Sequence, residues 1–355
     1  MTLNVLSYAS HSATDSLKPF KFERRDPRES DVVIDVLFCG ICHSDIHSAR
    51  SEWGEANYPI VPGHEIIGRV SALGQKVSKY KIGDMVGVGC LVDSCRHCQS
   101  CNDGLEQYCD NGFTGTYNSE DKIGGSPEAF TMGGYSTQMT VEERFVLRIP
   151  EGLDPAAAAP LLCAGITTYS PLKHWGVGAG QKIGVIGLGG LGHMGVKLAH
   201  AMGAHVVMIT TSLDKGTDAK KLGANEVLIS TNSEAMDAAK NSFDFLLNTI
   251  PVGHDVDPYI ALLKRDATMV IVGALEPLKP VNSAQLIFRR RHMAGSLIGG
   301  LPETQEMLDF CGEHNIVYDI EKINIQDINQ AYERTIKGDV KYRFVIDMDS
   351  LKHSE

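Results

Sequence analysis

Four of the chain's nine cysteines fall within CRHCQSCNDGLEQYC, as Cys95, Cys98, Cys101 and Cys109 at the spacing C-x2-C-x2-C-x7-C. Thiols this dense form a disulfide knot, an iron–sulfur site or a zinc site. A disulfide framework belongs to short secreted chains with paired cysteines, whereas this chain has 355 residues and an odd cysteine count. The ferredoxin run ends C-x3-C-P, and here Asp110 follows the last cysteine. Short CxxC loops turn backbone amides toward thiolates around tetrahedral zinc, and four thiolates fill its shell. With no position left for water or substrate, such a site holds a loop and performs no Lewis-acid chemistry.

A less conspicuous set precedes it. FCGICHSDIH supplies Cys42, Ser44, Asp45 and His47, and VPGHEIIG supplies His64 and Glu65. One cysteine and one histidine hold zinc while leaving room for a third ligand and an open position, which is the catalytic arrangement. Taken singly, a buried cysteine or a hydrogen-bonded histidine is the plainer reading of each. Their density in a strand–turn region is what points to metal. The third ligand must come from far along the chain, and Cys163 in APLLCAGITTY, expected in a helical stretch, is the candidate. Ser44 and His47, two and five positions beyond Cys42, suit a hydroxyl-to-imidazole proton relay; a turn cap and a surface histidine are the plainer readings.

A third pattern, GLGGLG, is G-x-G-x-x-G formed by Gly187, Gly189, Gly190, Leu191 and Gly192 with the intervening Leu188. The apolar strand KIGVI precedes it and a helix follows, the context in which glycines admit a pyrophosphate to a helix N-terminus. The next strand ends ITTSLDK. An NAD site normally places an acid there for the ribose 2′-hydroxyl. Thr211, Ser212 and Lys215 instead suit a 2′-phosphate, so NADP(H) is expected over NAD(H); Asp214, turned inward, would serve NAD.

The elements that must position these groups follow from the pattern of the chain. DVVIDVLFCGIC, EIIGRVSAL and KIGDMVGVGC alternate apolar with polar or small residues between glycine and proline punctuation, so the first 150 residues read as strands and turns. Asp154 before Pro155 is a helix start with cap and first-turn proline. From about Gly180 the pattern becomes strand–helix–strand, through DAKKLGANEVLI, FDFLLNTI and ATMVIVGAL, which implies a parallel sheet covered by helices. The tail, with TQEMLDFCGEHNI and YRFVIDMD, is expected to return to the first domain. An Arg289–Arg290–Arg291 run is expected on a solvated face or a subunit contact.

The net charge of −11 argues against a nucleic-acid or anionic-membrane partner. The stretch MTLNVLSYASHSATDS has no basic-then-apolar leader pattern, and KIGVIGLGGLGHMGV is broken by glycines, Lys182 and His193, so a cytoplasmic protein is expected.

GICHSDIH, VPGHEIIGRV, CRHCQSCNDGLEQYC, GGYS, PLLCAGITTY and GLGGLGHMG together resemble the zinc-dependent medium-chain alcohol dehydrogenases, in particular the cinnamyl alcohol dehydrogenase-like aldehyde reductases. The resemblance runs along essentially the whole chain. It implies a GroES-like, mostly-β catalytic domain of residues 1–152 and 291–355 carrying both zinc sites, and a Rossmann doubly wound α/β domain of residues 153–290. It implies two zinc ions, one catalytic on Cys42, His64 and Cys163 with Glu65 near or alternating, and one structural on the four clustered cysteines. Asp45 would hydrogen-bond His64 and set its tautomer. Ser44 and His47 would pass a proton to solvent while hydride moves between NADP(H) and a primary alcohol or aldehyde.

By the same resemblance, His43, Thr167, Val272, Ala274, Ser296, Ile298 and Arg343 contact the cofactor, Arg343 at the pyrophosphate, and a homodimer forms through the nucleotide domain. The resemblance loosens at the pocket. FTGTYN places Thr114 and Gly115 where bulk is expected, and Leu297 replaces a phenylalanine. Trp53, with Cys90 and Ile298 nearby, is the alternative aromatic wall, although a structural tryptophan is an equal reading. The pocket is apolar but shaped differently, so aromatic and medium-chain aldehydes are expected ahead of cinnamyl-like ones. An NAD-dependent polyol dehydrogenase and a non-catalytic zinc- and nucleotide-binding protein are the competing readings.

Overall fold

A computed structural model describes residues 3–122, 129–273 and 275–353. The chain divides into two compact units, residues 1–163 with 299–355, and residues 164–298. The divisions fall at Cys163/Ala164 and Ile298/Gly299, later than the expected 152/153 and 290/291. The cause lies in the alanine-rich run. Asp154 caps the short helix Pro155–Ala158, its carboxylate accepting the Ala156 amide at 2.9 Å, with proline at the first turn as expected. Its alanines are too small to form a stripe of their own and are buried against the first unit, where the Ala157 carbonyl accepts the Tyr318 amide.

The first unit is built on the strand Asp31–Gly40. It pairs antiparallel with Ile66–Leu73 on one side and with Gln138–Glu142 and Arg343–Asp347 on the other. The tail thus returns to this unit, Val345 opposite Gly40. Val32, Ile34, Ile66, Ile67, Val86 and Val345 are fully or almost fully buried in its core. The outer end of the central strand feeds Cys42 directly into the helix His43–Ala49.

The second unit is a six-stranded parallel sheet. Its spatial order is Glu226–Ile229, His205–Thr210, Lys182–Ile186, Phe243–Asn248, Leu263–Ile271 and His292–Gly295, the doubly wound order with a switch point beside the strand Lys182–Ile186. The inner strands Lys182–Ile186, His205–Thr210 and Phe243–Asn248, buried on both faces, read as the near-continuous apolar runs seen in the sequence. Here the arginine run departs from expectation. Arg289 and Arg290 are exposed, Arg290 on Asp266, but Arg291 is buried and donates to the carbonyls of Leu263, Gln285 and Ala261 and to Asn241 Oδ1. Four acceptors at 2.9–3.2 Å satisfy the fork and make a buried cation tolerable, which run counting could not foresee. No helix among the described residues is long and apolar enough to cross a membrane.

Candidate metal centres and cofactor site

The four clustered cysteines converge in the loop around the short helix Gln99–Asn102. Cys95 and Cys101 Sγ are 3.8 Å apart, and Cys98 and Cys109 Sγ 3.9 Å. A tetrahedron with Zn–S near 2.3 Å has edges of about 3.8 Å, so the donors are set for that ion. The Cys98 amide points at Cys95 Sγ and the Cys95 amide at Cys109 Sγ, both at 3.4 Å. Backbone amides, that of His97 foremost, hold the Cys95 thiol well below its usual range, as a thiolate ligand requires.

This loop reaches beyond itself. Glu106 Oε2 accepts the Leu301 amide at 2.9 Å, capping the helix Leu301–His314 across 195 positions of sequence. Changing Glu106 to alanine should cost about 1 kcal/mol, the value of a lost N-terminal cap, and lower the melting temperature without altering zinc content. A calorimetric scan beside a metal assay checks both.

The second set is buried. Ligand atoms of Cys42, His64, Glu65 and Cys163 lie within 4.8 Å of one another. Cys163 Sγ is 3.2 Å from His64 Nε2 and 4.0 Å from Cys42 Sγ. Cys163 lies not in a helix, as expected, but at the end of the 3-10 turn Ala159–Leu162 with φ −126° and ψ −73°, where the chain breaks before the helix Ala164–His174. That break aims its side chain back at Cys42. The contact with Cys163 draws the Cys42 thiol well below its usual range, helped by Arg343 and His64. Burial opposes a charged His64, but Asp45 together with Cys90 and Cys42 outweighs it and raises the imidazole well above its usual range.

Asp45 explains how the set is held. Its Oδ1 accepts His64 Nδ1 at 2.9 Å and the Gly63 amide at 3.0 Å, and its Oδ2 accepts the Cys42 amide at 2.9 Å. With Nδ1 committed, Nε2 is left for a metal. Glu65 is buried with neither carboxylate oxygen hydrogen-bonded, although Arg343 stands 3.1 Å from Oε1. A buried carboxylate with no hydrogen bond and only the Arg343 ion pair, set beside two thiols and an imidazole, fits a further cation. Arg343 itself is buried, paired with Glu65 and donating to the Ile41 carbonyl at 3.2 Å. Its buried Nε is used by neither contact, so the pyrophosphate role implied by the resemblance stays an expectation.

The relay residues lie beside this set. Ser44 Oγ is 3.5 Å from Cys42 Sγ. His47 is partly exposed, its Nδ1 bound to the Glu52 carboxylate and its ring stacked on Trp53 at 4.6 Å. His43 stacks more loosely on His47 at 6.1 Å, and burial lowers its imidazole pKa. Glu52 was not singled out in the sequence, because a five-residue spacing across a helix end carries no signal. Tyr117 was missed too. Its ring lies 5.7 Å from His64, while Thr114 and Gly115 merely pair with Leu91 and Asp93. Cys90 lies against the same thiols, and the Cys163 contact lowers its pKa.

In the second unit Gly187 turns with φ 90°, Gly189 caps the helix Gly190–Ala201 that Leu191 also begins, and a Cβ on Gly192 would strike the Gly187 carbonyl. Ser212 caps the helix Leu213–Lys221 at the end of the next strand, accepting the Lys215 amide at 3.3 Å. Thr211, Asp214 and Lys215 are exposed around it. Thr167 is buried in Ala164–His174. Val272 spends its amide on the Asn248 carbonyl, leaving only its own carbonyl for a ligand. The Ser296 amide donates to Ile271, Leu297 is half exposed and Ile298 has φ 35°; Ala274 lies outside the described residues.

Comparison with known proteins agrees with this geometry. Residues 28–151 match the alcohol dehydrogenase GroES-like domain, and residues 190–313 match the zinc-binding dehydrogenase model. The chain is 57% identical over 351 residues to aldehyde reductase YahK of Escherichia coli (strain K12), covering 98% of this chain and 99% of that protein. It is 53% identical over 349 residues to NADP-dependent alcohol dehydrogenase C 1 of Mycolicibacterium smegmatis, with coverage of 98% and 99%. A cinnamyl alcohol dehydrogenase of Sorghum bicolor superposes with a TM-score of 0.94 at 44% identity, covering 98% of each chain.

Proposed function

The chain belongs to the zinc-binding alcohol dehydrogenases with a GroES-like domain, and on that premise we propose that it reduces aldehydes to primary alcohols with NADPH and runs the reverse with NADP. The observation that carries this reading is the buried set Cys42, His64 and Cys163, three converging donors with Asp45 behind the imidazole. Zinc in that set supplies Lewis acidity toward a substrate oxygen, and NADPH supplies hydride. The remaining work belongs to the chain. Cys42, His64 and Cys163 hold the ion, and Arg343 keeps Glu65 within reach as an alternative partner. Ser44 passes a proton between the site and His47, whose Nδ1 on Glu52 leaves Nε2 to take it and whose exposed edge gives it to water. Thr211, Ser212 and Lys215 receive the 2′-phosphate at a helix N-terminus.

The pocket reading favours aromatic and medium-chain aldehydes, with Trp53, Tyr117 and Cys90 as apolar walls. An aldehyde panel followed by loss of nicotinamide absorbance, with NADPH and NADH in parallel, tests it. Turnover faster with NADPH across several apolar aldehydes is expected; sorbitol oxidation with NAD and no aldehyde reduction would favour the polyol reading. Nine free thiols suit the reducing cytoplasm, where they stay available to metal. A homodimer is supported by the outer strand His292–Gly295, which has one neighbour in its sheet, and by the exposed Met293, Ile287 and Phe288 near it. Sedimentation should give twice the chain mass, and Met293→Lys should shift it toward one.

A further inference from the structure

The GGYS motif has no part in ligand binding or proton transfer, yet it lies along the turn that carries His64. Three backbone hydrogen bonds join the two: Gly133 N to Val61 O at 2.7 Å, Gly134 N to Gly63 O at 2.8 Å and Tyr135 N to Pro62 O at 3.0 Å. Gly133 permits the approach, since a Cβ there would strike the Pro62 carbonyl. The Tyr135 side chain, fully buried, then extends under the turn, and its hydroxyl donates to Asp45 Oδ2 at 3.1 Å.

That bond completes the Asp45 carboxylate. Oδ1 has Gly63 N and His64 Nδ1; Oδ2 has Cys42 N and the Tyr135 hydroxyl. Asp45 is wholly buried, so each donor helps to keep its charge in place, and the charge is what orients the His64 ring. Without the hydroxyl, Oδ2 retains one partner, and the carboxylate is freer to rotate away from Nδ1.

We propose that Tyr135 is a positioning residue for the metal: acting through Asp45, it fixes the His64 imidazole and sets how tightly the Cys42, His64 and Cys163 set retains zinc. The inference rests on the reading of that set as a zinc site. A second tyrosine gives the contrast. Tyr332, from the helix Ile328–Ile336, is buried beside the same charge, but its hydroxyl makes no hydrogen bond to the Asp45 carboxylate.

The test follows zinc release from the purified holoprotein into a chromogenic chelator. The Cys95 cluster in the same molecule serves as an internal reference. Outer partners of a ligating histidine are worth about 10–100-fold in metal affinity, and Tyr135 stands one bond further out. Tyr135→Phe should therefore speed release of one of the two ions roughly 3–10-fold and leave the other unchanged. Tyr332→Phe should leave both unchanged. In an Asp45→Asn background, where the carboxylate is already gone, Tyr135→Phe should add nothing, an outcome that a general loosening of the core would not give. With cobalt(II) in place of zinc, Tyr135→Phe should also shift the visible band of the Cys42 site.

Equal release from wild type and Tyr135→Phe overturns the proposal, as does an equal acceleration by Tyr332→Phe or an additive effect in the Asp45→Asn background. If Tyr135→Phe does not fold, the wild-type and Asp45→Asn pair still decides. Unchanged release on removing the carboxylate breaks the chain through Asp45. A wild-type protein carrying one zinc, retained after Cys42→Ser, would overturn the metal reading itself, a result distinct from the others.

Discussion

Replacing His64 by alanine should lower kcat/KM by about a thousandfold or more, equivalent to about 4 kcal/mol of transition-state stabilisation, while the protein remains folded. The loss follows from geometry. His64 Nε2 is one of three converging donors, and its removal leaves two thiols and Glu65, a carboxylate already paired with Arg343. It also leaves Oδ1 of a buried Asp45 with only the Gly63 amide. The fold survives because the strands on either side, Asp31–Gly40 and Ile66–Leu73, are held by their own pairing and by a fully buried apolar face. Steady-state kinetics, circular dichroism and a zinc assay together check the prediction. Loss of one ion, with the Cys95 cluster still loaded and an unchanged spectrum, is expected. Near-normal turnover in a folded His64→Ala protein would remove the basis of the proposed chemistry.

Changing Ser212 to aspartate should move the preference between NADPH and NADH by about two orders of magnitude, or about 2.7 kcal/mol. Ser212 is the N-cap of Leu213–Lys221, at the end of the second strand of the nucleotide-binding half. Aspartate caps a helix as well as serine does, so the helix and its dipole persist. What changes is the charge met by the ribose. A carboxylate repels a 2′-phosphate and accepts from a 2′-hydroxyl, so kcat/KM with NADPH should fall and that with NADH rise. Lys215→Ala should lower NADPH use alone. Parallel kinetics with both nucleotides decide, and an unchanged ratio in Ser212→Asp would place the phosphate elsewhere.

Where the sequence was legible, the rule was local. The spacing of Cys95, Cys98, Cys101 and Cys109 forces their sulfurs together whatever the rest of the chain does, and Gly187 to Gly192 between strand and helix leave one backbone solution. Asp154 and Pro155 begin a helix for reasons contained in a few neighbouring residues. The parallel sheet was legible because strands buried on both faces must be apolar along their length.

Where it failed, the deciding contact was remote. The domain division moved because Pro155–Ala158 is too small to bury itself and joins the sheet of the first unit. Arg291 looked like its exposed neighbours, but acceptors from Leu263, Ala261 and Asn241 made a buried place for it. Glu52, Tyr117 and Tyr135 are ordinary residues in sequence, and only packing brings them to His47, His64 and Asp45. The sequence by itself determined the chemistry available: which residues are thiols, imidazoles and carboxylates, and that one cysteine cluster closes on itself. Tertiary structure alone decided how the second set is held, because the groups that orient it arrive from separate strands, turns and helices. Side-chain type is local information, but the direction in which a ligand points is fixed by what packs behind it.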